Sequence, residues 1–279
     1  MKKILLPIDF SDLSEYSYNL AVKIAKKTGA EIDVIYIVNA PSDAYFDSNG
    51  ELMPNQENFD YKTFLERKEE VAERMQKWIA DKDYIASAQV KIGRIVNDVL
   101  HHVEQQHVDM IVMGVREAHG VWEFLTHSKI ERLMRKSPVP ILTLKCDRSD
   151  LELDDILLAC DFHNPIKENL AVIKALQDVF GATLHLLKVN TKKDFETNRE
   201  VLAHMRDFVD LNDLKEVKFH IYSDQTVEKG IVNFCADEHI DFLAMGTHGR
   251  DGLSYWLKGS IAETVVNHVY QPILTFKIA

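Results

Sequence analysis

Residues 241–249 read DFLAMGTHG and residues 109–117 read DMIVMGVRE, and these two stretches open the repeat that decides the fold. Asp109–Lys145 aligns with Asp241–Lys277 without a gap at a constant offset of 132, and 12 of the 37 positions are identical. Both copies close on the tetrapeptide Pro-Ile-Leu-Thr, followed by one apolar residue and a lysine. The repeat predicts two copies of one domain within the 279 residues.

The beginnings of the two copies correspond as well, but at an offset of 152. The 20-residue difference between the offsets predicts an insertion in the first copy, which we place at residues 41–61. This segment contains prolines, a glycine and five acids but no Lys or Arg, a composition that favours a surface loop. The acidic stretch 147–155 then separates the halves, which predicts domains at residues 1–147 and 152–279. The early matches are Asp9-Phe10 with Asp161-Phe162 and Gly29-Ala30 with Gly181-Ala182.

Composition excludes some classes of partner. The formal net charge of −11 argues against nucleic acid or an anionic membrane as the main partner, since both require clustered cationic charge. An anionic small ligand stays compatible because local dipoles can outweigh net charge. The three cysteines are widely spaced, and no apolar run reaches the roughly 20 residues that span a bilayer. We therefore expect a reduced, cytoplasmic location.

Each half begins with an apolar run and then alternates helical patterns with further apolar runs, in the order β-α-β-α-β-α-β-α-β. This alternation predicts an α/β fold with two tandem doubly wound, Rossmann-like domains, each a five-stranded, mainly parallel sheet with four helices. Ser11 and Asp12 are predicted to cap the first helix, and Gly29 and Gly181 to end the first helix of each half. The first two strands are predicted at Ile4–Ile8 and Ile32–Val38, and at Ile156–Cys160 and Thr183–Val189.

The second copy keeps a glycine pattern that suits an anion. Gly246 and Gly249 are predicted in the turn after strand 4, with Gly259 and Ser260 at the start of the next helix. Glycine lets backbone N–H groups approach oxygen atoms, and a helix N-terminus offers free N–H groups and partial positive charge. Arg250 is placed to reach a terminal phosphate. Ligands bind doubly wound sheets where the strand order reverses, so Asp161 and Gly246 face one crevice if strands 1 and 4 are neighbours.

Each of these residues also has a purely structural explanation. Ser260 begins a Ser-x-x-Glu capping box, and the first copy keeps the same box at Ser128, so helix capping and phosphate contact both stay open for the serine. Gly114 and Gly120 survive in the first copy and are predicted to be turn residues. Glycines 249 and 259 are absent there, which favours ligand contact for them.

Together these motifs resemble the universal stress protein family, with two domains of that type covering essentially the whole chain. The pattern Gly246-x2-Gly249-x9-Gly259-Ser260 is similar to the family's ATP-binding motif in spacing and residue type. The resemblance implies ATP with Mg²⁺ as the ligand, Asp161 at the adenosine, Val189 near the adenine, and the glycines and Ser260 around the phosphates. It also implies a cytoplasmic stress-response protein of signalling or protective role, in which ATP hydrolysis or autophosphorylation is at most slow.

The first copy departs from that motif, because Glu117 and His127 replace the second and third glycines. A carboxylate about 4 Å from a phosphate charge costs about 1 kcal/mol in water and about 4 kcal/mol at an effective dielectric constant of 20. Both side chains would also fill space that the backbone should offer. We therefore predict that only the C-terminal domain binds ATP, although Asp9 is retained. In the second copy Phe162-His163-Asn164 follows Asp161 where the family usually has small residues.

No catalytic or metal site is predicted. The histidines at 101, 102, 107, 119 and 127 lack the spacing of zinc ligands, and solvated surface residues are the preferred interpretation. Asp9 and Asp161 have no partner acid or nucleophile in the sequence, so a ligand contact or structural role is favoured.

Two hypotheses for function and one for assembly follow. The first function is ATP binding in the C-terminal domain; the second is an interaction scaffold or apolar-ligand binder in which the glycines serve only turn and cap geometry. A slow ATPase or autokinase is a weaker third. The two Pro-Ile-Leu-Thr strands are predicted to pair as an internal pseudo-dimer, since an apolar edge strand invites pairing. A protein partner and a homodimer of tandem chains are both compatible with the sequence.

Overall fold

Buried apolar strands separated by amphipathic helices organise the chain in two successive units. In this computed structural model the described residues are 1–40, 44–47, 52–53, 61–115, 127–148, 150–159, 162, 170–248, 265 and 269–278. Unit 1 spans Met1–Val139 and unit 2 spans Pro140–Ala279. Several residues named in the sequence predictions lie outside the described residues: Asp161, Gly249, Arg250, Gly259, Ser260, Glu117, Gly120 and Asn164.

Unit 1 contains a parallel sheet in the order β3-β2-β1-β4. Strand β1 is buried along almost its whole length, as the apolar run predicted. The strands are β1 (Lys3–Pro7), β2 (Glu31–Asn39), β3 (Ile85–Gly93) and β4 (Met110–Gly114). The helices are α1 (Asp12–Thr28), α2 (Tyr61–Ile79), α3 (Ile95–Gln106) and α4 (His127–Lys136).

Unit 2 contains a sheet in the order β5-β10-β9-β6-β7-β8, in which β5 runs antiparallel to β10 and the other neighbours are parallel. The strands are β5 (Ile141–Leu144), β6 (Asp155–Ala159), β7 (Thr183–Asn190), β8 (Val217–Ser223), β9 (Phe242–His248) and β10 (Ile273–Ile278). The helices are α5 (Ala171–Phe180), α6 (Asn198–Asn212) and α7 (Val227–Asp237), and Val265 is also helical.

The predicted α/β class with doubly wound, mainly parallel sheets is confirmed. One detail differs: β5 ends the first repeat in sequence but belongs to unit 2, because it pairs with β10 from Thr143↔Ile273 to Ile141↔Thr275. The described strands therefore number four in unit 1 and six in unit 2. The predicted pairing of the two Pro-Ile-Leu-Thr strands is present within unit 2.

One glycine ends the first helix of each repeat, as predicted. Gly29 has φ 73° and donates its N–H to the carbonyl of Ala25 at 2.8 Å. Gly181 has φ 71° and donates to Gln177 at 2.7 Å. These left-handed conformations favour glycine and leave the last carbonyls of each helix hydrogen-bonded.

The predicted surface loop at 41–61 is partly built into the core. Ala44 and Leu52 are buried with Val38, Ala40 and Ile92, and Phe46 bridges to Leu52. The segment's five acids, two prolines and glycine indicated a surface loop, but Ala44 and Leu52 pack against the end of β2. Tyr61 already begins α2.

Candidate functional site

The strand order of unit 2 reverses between β6 and β9. These two strands are parallel neighbours, with Ile156 opposite Phe242 and Leu158 opposite Ala244. The chain leaves β6 toward β7 on one side, whereas β9 lies on the other side. The crevice expected beyond the carboxyl ends of strands 1 and 4 therefore has its two strands in place.

Of the seven residues predicted to form the site, two are described, Val189 and Gly246. Gly246 lies inside β9 and not in the turn that the sequence predicted. The reason is the length of β10, which pairs with β9 from Ile273↔Leu243 to Ile278↔His248 and puts Phe276 opposite Gly246. Strand β9 therefore continues to His248, two residues beyond the predicted turn residue Gly246.

Val189 ends β7 with its side chain in the core. It is 3% exposed and packs with Ile231, Phe234 and Met245. Gly230 on α7 lies so close that a methyl group there would meet both γ-carbons of Val189. The side chain is thus fully engaged, so a ligand in the crevice would meet the backbone of Val189.

The loop that follows β7 is held in place by side chains of the strand itself. The Asn190 amide donates to the Glu196 carbonyl at 2.9 Å, and its Oδ1 accepts from the Glu196 N–H at 3.3 Å. The hydroxyl of Thr197 accepts from the Glu200 N–H, and the Glu200 carboxylate accepts from the Thr197 N–H at 2.9 Å, which completes a capping box at the start of α6. The loop at residues 191–197 is therefore a preorganised rim beside the end of β7.

Lys188 is the charged residue at the base of this rim. It is 2% exposed, and its Nζ lies 2.6 Å from Glu196 Oε1 and 3.3 Å from Asp194 Oδ2. Burial favours the neutral amine, but the hydrogen bonds and charges of Glu196 and Asp194 outweigh it and raise the pKa of Lys188. His204 lies 3.2 Å from the second oxygen of Glu196. A cation is thus fixed beneath the loop.

In unit 1 the retained aspartate, Asp9, is hydrogen-bonded to the turn that follows it. Asp9 Oδ1 accepts from the Ser11 N–H at 3.0 Å, from the Ser11 hydroxyl, and from the Ser14 hydroxyl at 2.9 Å. The Asp9 N–H donates in turn to Ser14 Oγ at 3.0 Å. Ser11 is the N-cap residue of α1 by position, but its hydroxyl serves Asp9 and not the helix. These bonds give Asp9 a structural role without a ligand.

The aromatic residue after each of these aspartates has an unusual backbone. Phe10 has φ 60° and Phe162 has φ 59°, a region that bulky residues rarely adopt. Phe10 stacks on Tyr36 with ring centroids 5.0 Å apart, and Phe162 packs edge-on against Phe208 at 5.3 Å. Both copies thus place strained backbone at the same corner of the crevice, and such strain clusters at functional sites.

The two units differ at the end of their second strand. Where unit 2 has the Lys188 ion pairs, unit 1 has Tyr36 against Phe10, and the guanidinium of Arg74 lies 4.6 Å from the centre of the Phe10 ring. Trp78 packs edge-on to Phe10 at 6.5 Å. The aromatic faces at this end of unit 1 are therefore already covered by its own side chains.

Gly114 also differs from its prediction as a turn residue. It ends β4, and a Cβ there would lie 2.5 Å from Leu13 Cβ and 3.0 Å from the Leu13 carbonyl oxygen. Close packing of α1 against β4, and not turn geometry, requires this glycine. Ser128 lies one residue inside α4, which begins at His127, so it is not at the N-cap position there.

Besides Lys188, sequence reasoning did not place four other ionisable residues inside the strands and helices. Asp33, His102 and His185 are buried, and His220 is half-buried. His101 is exposed and His102 is buried, so the two do point to different sides of α3, but the solvated-surface interpretation is wrong for His102. The available signal was a polar residue that interrupts an apolar run, at Asp33 and again 152 positions later at His185.

Two further kinds of candidate site among the described residues are a metal cluster and a reactive thiol at Cys235. No group of three or more His, Cys, Asp or Glu side chains among them is arranged to hold a metal ion. Burial raises the pKa of Cys235 to about 12, so its thiol stays protonated and unreactive. Within the same part of the chain, no helix is both long and apolar enough to cross a membrane.

Comparison with known proteins gives a consistent result over both repeats. The sequence model of the universal stress protein family matches residues 1–145 and 153–277. A universal stress protein from Synechocystis sp. is 25% identical over 296 residues, which cover 99% of this chain and 100% of that protein. Another from Methanocaldococcus jannaschii is 26% identical over 150 residues, 52% of this chain and 82% of that protein.

The fold comparison agrees with the sequence comparison. The crystal structure of a universal stress protein from Archaeoglobus fulgidus has a TM-score of 0.69 to this chain at 25% identity. The similarity covers 99% of this chain and 98% of that one. It therefore extends from the first strand of unit 1 to the last strand of unit 2.

Proposed function

Because the chain belongs to the universal stress protein family, we propose that it is a cytoplasmic stress-response protein of regulatory or protective role whose C-terminal unit alone binds ATP, with Mg²⁺. The observation that carries the proposal is the strand reversal between β6 and β9 at the place where the sequence carries the glycine motif. A phosphate-binding pattern at a topological switch point is where doubly wound folds hold nucleotides.

Each residue has a proposed part in this site. Asp161 follows β6 and contacts the adenosine, and the backbone of Val189 borders the adenine, since its side chain is engaged in the core. Gly246, Gly249 and Gly259 let backbone N–H groups surround the phosphates together with Ser260. Arg250 reaches the terminal phosphate.

The rim beside β7 supports nucleotide binding by unit 2. Asn190 and Lys188 fix residues 191–197 before any ligand arrives, so little conformational freedom is lost when one binds. The corresponding end of unit 1 carries the insertion at 41–61 and the Phe10–Tyr36 stack. Together with Glu117 and His127 in the motif, these differences support a single site in each chain.

The test is calorimetric titration of the nucleotide-stripped full chain with ATP and Mg²⁺. We expect one site per chain in the wild type and its loss in Gly259→Glu, because the new carboxylate occupies the phosphate position. The matched control is His127→Glu, which places the same carboxylate side chain at the equivalent position of unit 1 and should leave binding unchanged. Titrations with adenosine, AMP and cAMP would show how much of the affinity depends on the phosphates.

Two results would overturn parts of the proposal. Two sites per chain would show that Glu117 and His127 do not block unit 1. No heat of binding up to millimolar ATP would remove the nucleotide function and leave the interaction scaffold as the better explanation. Release of inorganic phosphate in step with bound ATP, lost in Ser260→Ala, would instead indicate a slow ATPase, and transfer of the γ-phosphate to the protein itself would indicate an autokinase.

A further inference from the structure

Both units carry ionisable side chains inside the sheet near the amino-terminal ends of their first two strands, away from the crevice. The repeat offset of 152 relates Lys3 on β1 to Asp155 on β6, and Asp33 on β2 to His185 on β7. Both units therefore carry an ionisable residue at each of the two positions. In unit 1 the basic residue is on the first strand and the acidic residue on the second, and in unit 2 this order is reversed. We call the two sets the unit 1 layer and the unit 2 layer.

The unit 1 layer is centred on a carboxylate with a permanent counterion. Asp33 Oδ2 lies 3.3 Å from Lys3 Nζ, and its Oδ1 accepts from the Ser87 hydroxyl at 2.7 Å. His102 on α3 brings Nε2 to 3.6 Å from Asp33 Oδ2. Asp33 therefore has the lysine as a partner in addition to the imidazole.

The unit 2 layer is centred on two histidines. His185 Nε2 lies 2.7 Å from Asp155 Oδ1 on β6. The rings of His185 and His220 are stacked with centroids 4.9 Å apart and an interplanar angle of 1°. Phe234 of α7 packs edge-on against His220 at 4.9 Å. The layer thus joins β6, β7, β8 and α7 through one carboxylate and two imidazoles.

The remaining charges near His220 come from β8 and from the end of α7. Lys218 lies opposite His185 in the register of β7 with β8 and disfavours a second cation there, while Glu238 after α7 favours one. Within the described residues, His220 Nε2 and His185 Nδ1 are buried without a hydrogen-bond partner. One carboxylate can neutralise one imidazolium, so full protonation leaves two stacked cations with a single close anion.

We propose that the unit 2 layer is an acid-responsive latch that releases strand β8 from β7 when both histidines become protonated, while the unit 1 layer stays closed. Strand β8 ends the sheet order and pairs with β7 alone among the described strands, so the repulsion acts on an edge strand that has a single strand neighbour. Separating the rings also lets water reach both imidazolium groups.

The direction of the pH effect follows from the protonation states. Burial and the neighbouring His185 lower the pKa of His220 in the folded chain, so the open state takes up a proton more readily than the closed state. Opening is therefore favoured as the pH falls through the normal histidine range. His102 also has a pKa lowered by burial, but the charge and hydrogen bond of Asp33 oppose that shift, so a weaker response is expected in unit 1.

The test is hydrogen exchange of the full chain by mass spectrometry at pH 7.5 and pH 5.5, corrected for the intrinsic exchange rate. Protection of the β7 and β8 peptides should fall severalfold at pH 5.5, because the exposed imidazoles take up protons more readily than the buried pair. Protection of the β2 and β3 peptides should fall by less. This result would not depend on nucleotide, so the measurement is made without ATP and stands apart from the proposed function.

His220→Phe removes the second charge and keeps a ring against Phe234, so it should abolish the acid effect on β7 and β8. His102→Phe is the matched control in unit 1 and should leave the β7 and β8 response intact. Equal protection of β7 and β8 at both pH values in the wild type would overturn the proposal without any variant. An acid effect that persists in both His220→Phe and His220→Gln would overturn it as well.

Discussion

Gly230 has its side-chain space taken by the neighbouring strand. It lies within α7, where its Cα faces the γ-carbons of Val189 and the Cβ of Asp224. Alanine in a helix interior ordinarily stabilises by about 1 kcal/mol relative to glycine. We expect Gly230→Ala to do the opposite and lower the free energy of unfolding by about 1–3 kcal/mol, because the added methyl overpacks the contact. Urea unfolding followed by circular dichroism would measure it.

A second substitution separates this steric cause from others. In the double variant Gly230→Ala/Val189→Ala the clash is relieved, so the two changes together should cost less than the sum of the single changes. A Gly230→Ala protein as stable as the wild type, or more stable, would show that α7 can move away from β7.

Single residues show what the sequence could and could not reveal. Gly29 and Gly181 were predictable because a helix stop needs only a local conformation. Gly230 was not, because its requirement comes from a strand 41 residues away. His185 was overlooked although it interrupts an apolar strand, since a lone histidine carries no information about a second imidazole on β8.

The loop between β7 and α6 depends on one buried cation. In Lys188→Met, Glu196 loses its 2.6 Å partner while remaining largely enclosed. Removing one partner of such a pair leaves an uncompensated charge, so we expect a loss of about 2 kcal/mol in the free energy of unfolding and faster tryptic cleavage at Lys192 or Lys193. Lys193→Met is the control, since an exposed change there should cost less than about 0.5 kcal/mol. Equal stability of the two variants would mean that the ion pairs do not hold the loop.

The two Pro-Ile-Leu-Thr strands share a reciprocal contact. Thr143 Oγ1 donates to the Ile273 carbonyl at 3.2 Å, and Thr275 Oγ1 donates to the Ile141 carbonyl at 3.3 Å. Because the two sites are equivalent and buried, Thr143→Val and Thr275→Val should each cost about 1 kcal/mol, measured by thermal unfolding. Markedly unequal losses of stability in the two variants would show that the two threonine hydrogen bonds contribute differently although their geometry is similar.

The hydrophobic pattern predicted most of the helices and strands, but it did not predict the residues at which they begin and end. The run predicted at Ile4–Ile8 is the strand Lys3–Pro7, a shift that leaves the buried residues unchanged. β9 extends through Gly246, which was predicted in the turn after strand 4, because β10 continues to pair with it, a long-range cause. The insertion was recognised from the change in offset, but Ala44 and Leu52 gave no signal that they would be buried.

At the scale of the whole molecule, acid should weaken the fold. The pKa values of His102 and His220 are both lowered by burial, so each unfolded histidine binds protons more readily than its folded counterpart. The stability that these neutral histidines contribute is present above the normal histidine pKa and is lost as the pH falls below it. Urea unfolding between pH 7.5 and 5.5 should show a declining free energy, with a shallower slope in His102→Phe/His220→Phe. A slope unchanged in that double variant would assign the pH dependence to other groups.

The duplication was readable because both copies kept Met-Gly and Pro-Ile-Leu-Thr at one offset. The bounds 1–147 and 152–279 were placed by composition and stay a prediction, whereas the compact units divide after Val139, because β5 pairs with β10. Likewise the glycine site was predicted from Gly249, Gly259 and Ser260, which lie outside the described residues, so the strands of the crevice are confirmed and its binding atoms are not.

The pairing of β5 with β10 also bears on how the chain is made. Thr143 and Ile273 are 130 residues apart, and β10 lies near the C-terminal end of the sequence. At translation rates of about 5–20 residues per second, roughly 6–26 s pass between synthesis of the two strands. Throughout that interval the apolar edge of β5 has no partner from its own chain. A nascent polypeptide paused in the second repeat would therefore expose an edge strand as a template for aggregation, and a chaperone that covers β5 would be needed until β10 is made.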